Sequence, residues 1–586
     1  MKESIAKYKG IISVVALAFE VSLYAPLESF FLNRDEFWFK LGDLILATIP
    51  VFLCLVVLLL IPYVFFKNRV REIYSVILAI ITLIIYLQGN FMGLKVGVMN
   101  GADIVWKDYL PRMVLNLFVW VILLLIGLSI YIRRTRLYRA FLILSGIVFG
   151  IQMITVSVLM IQYFETKASA DDEIVTFTNK GLYTADSEDN TVVFVLDMFD
   201  ADYFDRILEN EPEWGDILDG FTLYDNYTGT YSTTSYSMAH LYTGNRFYNE
   251  LPQREWTDSE YNDRIYADEL LESGYNLYYY STIPGVIPQR ISERAQNYYE
   301  GKCNVSNGFM LSYNIYKLVA FKWFPDCLKP LLWFDGDEFD ALRECKDATV
   351  YMSDNARFRD GIRSAKWDKS DEKAVRFIYT VGSHYPYRIN RYGEDVHMGE
   401  VSSVDCARGV LSIVDEYLDH LRDMGTYDNT SVIITADHGY YWDGTLQSPV
   451  MLIKPKGSKG PLRVNNAPVC QADFAATIME LSGMDDYSEY GESILHVNES
   501  SDRQRLFYQY YLQEQVDNGN YRLIEYRIDP SGRDRKDYSL TGNEYMSNGE
   551  LIDHYKYCKT CKGNSTEICD RDYPRLVHEK AENYPN

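Results

Sequence analysis

The sequence predicts a multi-pass α-helical membrane domain of five spans, followed by an extracytoplasmic α/β domain with a mainly parallel central sheet and a small C-terminal antiparallel sheet. Three observations predict it. Residues 1–164 hold five apolar runs, each near the ~20 residues that cross a bilayer. Beyond them, short β-branched apolar runs alternate with amphipathic stretches, the pattern of strand-helix units. Several of those runs stop abruptly in residues able to bind a metal or move a proton, at the strand edge where open α/β sheets place ligands.

The five runs cover residues 11–32, 44–66, 73–91, 113–132 and 140–164. Buried core helices of a water-soluble protein would rarely come five in succession. Lys2, Lys7 and Lys9 precede the first run, Lys67, Arg69 and Arg71 follow the second, and Arg133, Arg134, Arg136 and Arg139 follow the fourth. Basic residues mark cytoplasmic ends, so the amino terminus is read as inside and everything after the fifth run as outside. No small-residue cleavage site follows the first run, which therefore reads as a retained anchor. The chain divides into a transmembrane domain at 1–164, a polar juxtamembrane linker at 165–190, an α/β domain at 191–500 and an appendage at 501–586. Residues 1–163 carry 15 Lys and Arg against nine Asp and Glu, so the remainder of this −24 chain carries about −30. A surface that acidic excludes nucleic acid as a natural partner.

Within the membrane half, Glu20 lies inside a span, where an ionisable group is costly and marks either a functional site or a contact with a neighbouring helix. The loop 93–112 contains Asn100, Gly101, Asp103, Trp106, Lys107 and Asp108. Its Trp reads as an interfacial anchor in preference to a headgroup contact.

The outer half opens with a strand at 191–196, TVVFVL, which ends in Asp197, and a helical stretch at 201–208 follows. Asp200 is near, but only Asp197 sits directly after the apolar run. Residues 228–244 are crowded with hydroxyls and turn apolar at Met238, as a loop running into a helix does. Thr233, Thr234 and Ser235 at such a helix start are ordinarily caps. The same position is an anion site, where a metal-activated hydroxyl becomes a nucleophile facing a phosphate. Strands follow at 276–281 and 375–381, and the second leads to Gly382, Ser383 and His384. An aromatic segment at 321–334 reads as packing. A helix at 402–424 stops at Gly425 and leads into the strand at 431–435, which ends in Asp437, His438 and Gly439. A carboxylate and an imidazole side by side offer mixed oxygen and nitrogen ligation to a divalent metal.

Asp197, the helix start at Thr234, SHYPY at 383–387, ADHG at 436–439, SPVMLIKP at 448–455 and QADFAATIMELSG at 471–483 together resemble, in order and spacing, the alkaline-phosphatase/sulfatase superfamily. Five spans before an outer domain resemble its lipoteichoic acid synthase and phosphoglycerol transferase branch, with the phosphoethanolamine transferases as cousins. The resemblance implies that Asp197, Asp437, His438 and the Thr234 oxygen hold a divalent ion, manganese first with magnesium or zinc as alternatives. It implies Thr234 as nucleophile, with Thr233 its rival, and His384 as the histidine that binds substrate or protonates a leaving oxygen. The implied reaction moves a phospho-headgroup, phosphoglycerol or phosphoethanolamine, from a membrane phospholipid through a phosphothreonine to a cell-surface glycan or teichoic-acid-like polymer. The alternatives are an extracellular phosphodiesterase or sulfatase-type hydrolase, and a non-catalytic surface interaction module. No Cys or Ser in a Pro- and Arg-containing modification motif occurs around Thr234, which argues against sulfate esters. Gln447 and Ser448 stand before Pro449 where many relatives carry a His.

Beyond residue 500, the stretches 505–512 and 521–529 alternate as antiparallel strands do. Nine cysteines are present, and all but Cys54 lie in the half read as outside. His554, Cys558, Cys561 and Cys569 are read as a disulfide or free thiols before a zinc site. Sequons occur at Asn226, Asn304, Asn429, Asn498 and Asn564.

Overall fold

The computed structural model describes residues 2–34, 37–94, 96, 104, 106–133, 138–167, 174–186, 189–283, 285–333, 337–346, 348–396, 401–440, 448–512, 521–534, 537–546 and 551–553. The chain forms two compact units, Met1–Ile174 with Gly301–Asp347, and Val175–Glu300 with Ala348–Asn586.

In the first unit α1 (Lys2–Phe19) passes through a π-helical turn, Glu20–Tyr24, into α2 (Ala25–Leu32), and α3 (Leu41–Phe65), α4 (Asn68–Leu87), α5 (Trp106–Ile132) and α6 (Tyr138–Lys167) follow. Five stretches among the described residues are long and apolar enough to cross a membrane: Gly10–Leu32, Leu41–Phe65, Asn68–Met92, Trp106–Ile132 and Tyr138–Phe164. Their outer faces expose Leu53, Phe65, Leu115, Phe118 and Ile154, the reverse of a helix that meets water. Polar groups turn inward instead. Glu20 is buried and accepts a 3.0 Å hydrogen bond from Gln152 Nε2 on α6, so it faces a neighbouring helix. Trp106, Lys107 and Asp108 lie in the first turn of α5 and not in a loop, while Asn100, Gly101 and Asp103 lie outside the described residues.

Residues 301–347 belong to this unit although they interrupt the second. A disulfide joins Cys303 to Cys345 across a two-stranded ribbon, and the helix Gly308–Trp323 lies between. The aromatic segment is packing, as its composition predicts: Trp323 is buried with its ring 5.5 Å from that of Tyr24.

The second unit is built on a seven-stranded sheet. Its strands in chain order are β1 (Asp189–Leu196), β2 (Thr222–Tyr224), β3 (Asn276–Tyr280), β4 (Lys373–Thr380), β5 (Thr430–Thr435), β6 (Met451–Lys454) and β7 (Arg463–Asn465). The spatial order is β7-β2-β6-β5-β1-β4-β3, and only β6 runs against its neighbours. Central parallel strands are covered on both faces, which is why β1, β4 and β5 read as near-continuous apolar runs. Side chains alternate along a strand and so feed two cores. The flanking helices are α7 (Ala201–Asn210), α8 (Thr234–Thr243), α9 (Ser403–Asp423) and α10 (Phe474–Leu481). From β1, Val193 and Val195 join Met238 and Leu241 of α8 and Phe474 of α10, whereas Val192, Phe194 and Leu196 join Phe204 of α7 and Leu411, Val414 and Leu418 of α9. Ser402 caps α9, accepting from the Asp405 amide, and Gly425 at φ +69° turns the chain out of it.

The second unit differs from the sequence reading in three places. The polar linker carries short strands, Ile174–Phe177 and Thr184–Asp186, the second paired in parallel with Asp368–Ser370. Period-2 patterning is invisible in runs so short. The C-terminal sheet has four strands in place of two: β8 (Arg505–Leu512), β9 (Tyr521–Ile528), β10 (Tyr538–Met546) and β11 (Leu551–Asp553), all antiparallel. Asn226, read as a sequon, is buried with its amide donating to Pro530 O at 2.9 Å, which leaves no room for a glycan. Gln447 and the C-terminal His554, Cys558, Cys561 and Cys569 lie outside the described residues.

Register decides what the sheet presents. Thr435 pairs with Val195 and Thr380 with Leu196, so β1, β4 and β5 end level with one another. Gly382, at φ +57° after β4, folds back so tightly that a Cβ there would collide with the Asp197 amide. No other residue fits both the conformation and the space. Gly382→Ala is predicted to destabilise the second unit by roughly 3 kcal/mol. A fall of several degrees in its thermal transition, followed by tryptophan fluorescence of the solubilised full chain, is the expected reading.

Candidate functional site

The level strand ends place Asp197 after β1 beside Asp437 and His438 after β5. The two carboxylates and the imidazole offer ligand atoms within 4.8 Å of one another, and all three residues are buried. His438 Nε2 lies 3.4 Å from Asp437 Oδ2 and 3.9 Å from Asp197 Oδ1. Thr234 Oγ1 reaches the same nitrogen at 3.3 Å. The structure thus brings together four residues separated by up to 241 positions in sequence.

Each ligand is held by the half that does not face the cluster. Asp437 Oδ1 accepts from the His438 amide at 2.8 Å and from the Met198 amide at 3.2 Å. Asp197 Oδ2 accepts from Tyr379 OH at 2.6 Å. The Gly439 carbonyl, 2.9 Å from His438 Nδ1, can only accept, which assigns the proton to Nδ1 and leaves the Nε2 lone pair for the cluster. The remaining oxygens, Asp197 Oδ1 and Asp437 Oδ2, are buried without a hydrogen-bond partner. Burial pushes the Asp197 carboxyl well above its usual range, and the charge of Asp437 adds to that, while His438 and the Tyr379 hydrogen bond oppose it. Two buried carboxylates with inward, unpaired oxygens are costly unless a cation joins them. The donor set of two carboxylates, one imidazole and one hydroxyl fits a divalent ion.

Thr234 is the first residue of α8. Thr233 occupies the cap position, yet its hydroxyl makes no cap and is buried without a partner. The ordinary capping role is therefore unfilled, and the half-buried Thr234 hydroxyl is directed at His438. The loop before it is braced from two sides. Gln471 accepts from the Thr230 amide and donates to the Asp437 carbonyl, both at 3.0 Å, tying the loop to the end of β5. From the C-terminal sheet, the Tyr508 amide donates to Thr230 O at 2.8 Å and the Tyr510 amide to Ser232 Oγ at 2.9 Å.

His384 leaves β4 at the same edge, after Ser383, whose amide donates to Asp197 O at 2.9 Å. Its Nδ1 lies 2.5 Å from the Tyr385 carbonyl. Burial lowers its pKa, against the pull of that carbonyl and of Asp437, so the ring is neutral at pH 7 with Nε2 as an acceptor. Asp200 stands apart from the cluster. It caps α7, accepting from the Asp202 amide at 2.8 Å, and accepts from the Tyr440 amide at 2.8 Å; burial pushes it up to about 7. Sequence reasoning missed Tyr379, because a tyrosine within an apolar strand carries no local sign of its partner. Gln471 lay in a quoted motif without a role.

The family model described as Sulfatase matches residues 189–484, just over half of the chain. The chain belongs to the sulfatase family. Its matched region opens with the first residue of β1 and closes just beyond α10, so it contains every residue of the cluster. Similar solved structures include a protein of the alkaline phosphatase superfamily from Vibrio parahaemolyticus, at 13% identity over 61% of this chain and 80% of that one, TM-score 0.35. A phosphonate monoester hydrolase from Silicibacter pomeroyi is similar at 14% identity over 59% and 87%, TM-score 0.34. A 2-O GAG sulfatase is similar at 10% identity over 67% and 90%, TM-score 0.35. No curated protein sequence matches the chain. Enzymes of this superfamily use divalent metal ions, and the sulfatase-family cluster here has the donors for one.

One equivalent of divalent metal is expected to bind the purified chain, and Asp437→Ala to abolish it; because the Asp197 proton must leave, affinity falls as pH falls, and calorimetry in buffers of different ionisation heat shows protons released. Tyr379→Phe is expected to leave the fold intact but weaken metal affinity by about tenfold, since Asp197 loses the bond that orients it.

Proposed function

We propose that this sulfatase-family chain is a membrane-anchored transferase of the lipoteichoic acid synthase-like branch, which moves a phospho-headgroup from a membrane phospholipid to a cell-surface glycan or teichoic-acid-like acceptor. One observation carries the reading. A threonine hydroxyl at the amino end of a helix lies 3.3 Å from the imidazole of a buried two-carboxylate cluster, on a chain that begins with five spans. The absence of a sulfatase modification motif around Thr234 favours a phosphate ester. The unfilled cap position and the bearing of Thr234 on His438 favour Thr234 over Thr233. The amino terminus is taken as cytoplasmic and the second unit as extracytoplasmic, on the basic residues at the span ends and with the Cys303–Cys345 disulfide as further support.

Asp197, Asp437, His438 and Thr234 would hold the cation, manganese first, with magnesium and zinc as alternatives. When bound, such an ion supplies Lewis acidity, lowering the pKa of a hydroxyl beside it and offsetting phosphate charge. The chain's own residues do the rest. Amides at the start of α8 face the phosphate. Thr234 Oγ gives up its proton to a base and forms a bond to phosphorus as the bond to the diacylglycerol oxygen breaks, and that oxygen takes up a proton. In the second step an acceptor hydroxyl attacks the phosphothreonine, loses its proton and restores Thr234. In this reading His384 Nε2, unprotonated at pH 7, takes the proton from an attacking hydroxyl and returns it to a leaving oxygen. Anchoring holds this site at a high effective concentration of its lipid donor.

The test is intact mass spectrometry of the full chain after incubation with mixed phospholipids and manganese. Wild type and Thr233→Ala are expected to gain a headgroup-phosphate adduct and release diacylglycerol, and Thr234→Ala to do neither. Diacylglycerol release without any adduct or acceptor product would identify a hydrolase. Neither signal, with metal bound, would identify a non-catalytic module.

A further inference from the structure

The insertion 301–347 sits among the apolar helices of the first unit at a depth, and with an exposed surface, that neither core packing nor solvent explains. Its contacts fix the depth. Ser312 Oγ donates to Ala47 O at 3.0 Å, and Tyr316 OH donates to Ser22 O at 2.8 Å. At ~1.5 Å of rise per residue, Ala47 lies about 9 Å inside the start of α3 and Ser22 about 15 Å inside the end of α2. Trp323 closes against Gly89, where a Cβ would strike its ring. Helices of 23 to 27 residues overhang a ~30 Å hydrocarbon core by only a few ångströms at each end, so these contact levels lie within the apolar layer.

The charges of the insertion are consistent with such a place. Lys322 pairs with Glu28 at 2.6 Å, Lys317 with Glu338 at 2.9 Å, and Lys329 with Asp326 at 3.6 Å, the last pair almost wholly buried. Asp326 also accepts from Gln88 Nε2 at 3.1 Å, and Asn116 accepts from the Asp326 amide at 3.0 Å. Between residues 308 and 333 the exposed side chains are apolar, Phe309 at 79%, Tyr313 at 54% and Leu331 at 81%, with Met310 and Leu328, whereas the exposed polar residues Lys302, Asn304, Glu344 and Lys346 lie on the ribbon at its ends. The neighbouring face of α3 exposes Leu46 at 75% beside the Ala47 contact. Exposed apolar side chains thus occur both on the insertion and on the helix it contacts.

We infer that residues 308–333 form a lipid-facing platform, seated in the bilayer leaflet at the α2/α3 end of the spans, with Phe309, Tyr313 and Leu331 against acyl chains. The inference rests on the five-span reading. In lipid, exposed apolar side chains with paired charges behind them are the stable arrangement, whereas in water the same surface invites association.

The test uses the full chain in phospholipid vesicles with benzoylphenylalanine placed singly at Phe309, Leu331, Leu53 and Lys369, all exposed positions where the substitution leaves the packing alone. After illumination, intact mass is expected to rise by one phospholipid at Leu53, Phe309 and Leu331, and to stay unchanged at Lys369. An adduct at Leu53 with none at Phe309 or Leu331 overturns the platform and keeps the spans. No adduct at Leu53 overturns the spans and the platform with them. Crosslinked dimers at Phe309 or Leu331 in place of lipid adducts assign the surface to a second copy and overturn it as well.

Discussion

Two carboxylate oxygens, Asp197 Oδ1 and Asp437 Oδ2, are buried close together without a partner, and the second unit is arranged around that cost. An isolated buried carboxylate is penalised by several kcal/mol, and a second beside it adds repulsion. The fold accepts both because it supplies all the other hydrogen bonds in advance. The outer oxygens take amides and a tyrosine hydroxyl, and the imidazole is turned by a carbonyl. The site is thus shaped for a cation by what each ligand is prevented from doing elsewhere.

The same constraint explains why the sheet tolerates so little slack. A slip of one residue between β1 and β5 would send Asp197 and Asp437 to opposite faces. The tight return at Gly382 keeps the end of β4 against Asp197, and Gln471 ties the Thr230 loop to Asp437. The C-terminal sheet enters the argument here. Its first strand borders the loop that leads to Thr234, so an appendage beyond the matched family region helps to position a hydroxyl.

Much of this was legible in the sequence. Asp197, Asp437 and His438 stood at the ends of apolar runs, and burial on both faces of a parallel sheet makes such runs conspicuous. The five helices long and apolar enough to cross a membrane were legible because uninterrupted apolarity of that length is conspicuous. What escaped had no local signature. Tyr379 looks like any strand tyrosine until its hydroxyl meets Asp197, and the three-residue strand at Thr184–Asp186 is too short to show a period. The grouping of residues 301–347 with the N-terminal helices is tertiary: Lys322 and Glu28 are 294 positions apart, and neither announces the other.

That grouping changes what joins the two units. The polypeptide passes between the two units three times, after residues 174, 300 and 347, and the second and third passages are clasped by the Cys303–Cys345 disulfide. A protease that nicks the polar stretch after the last span severs one strand of a three-stranded attachment. A further cut inside the loop between the two cysteines leaves the disulfide bridging the gap. Release of the second unit from the first is therefore a matter of several independent cleavages.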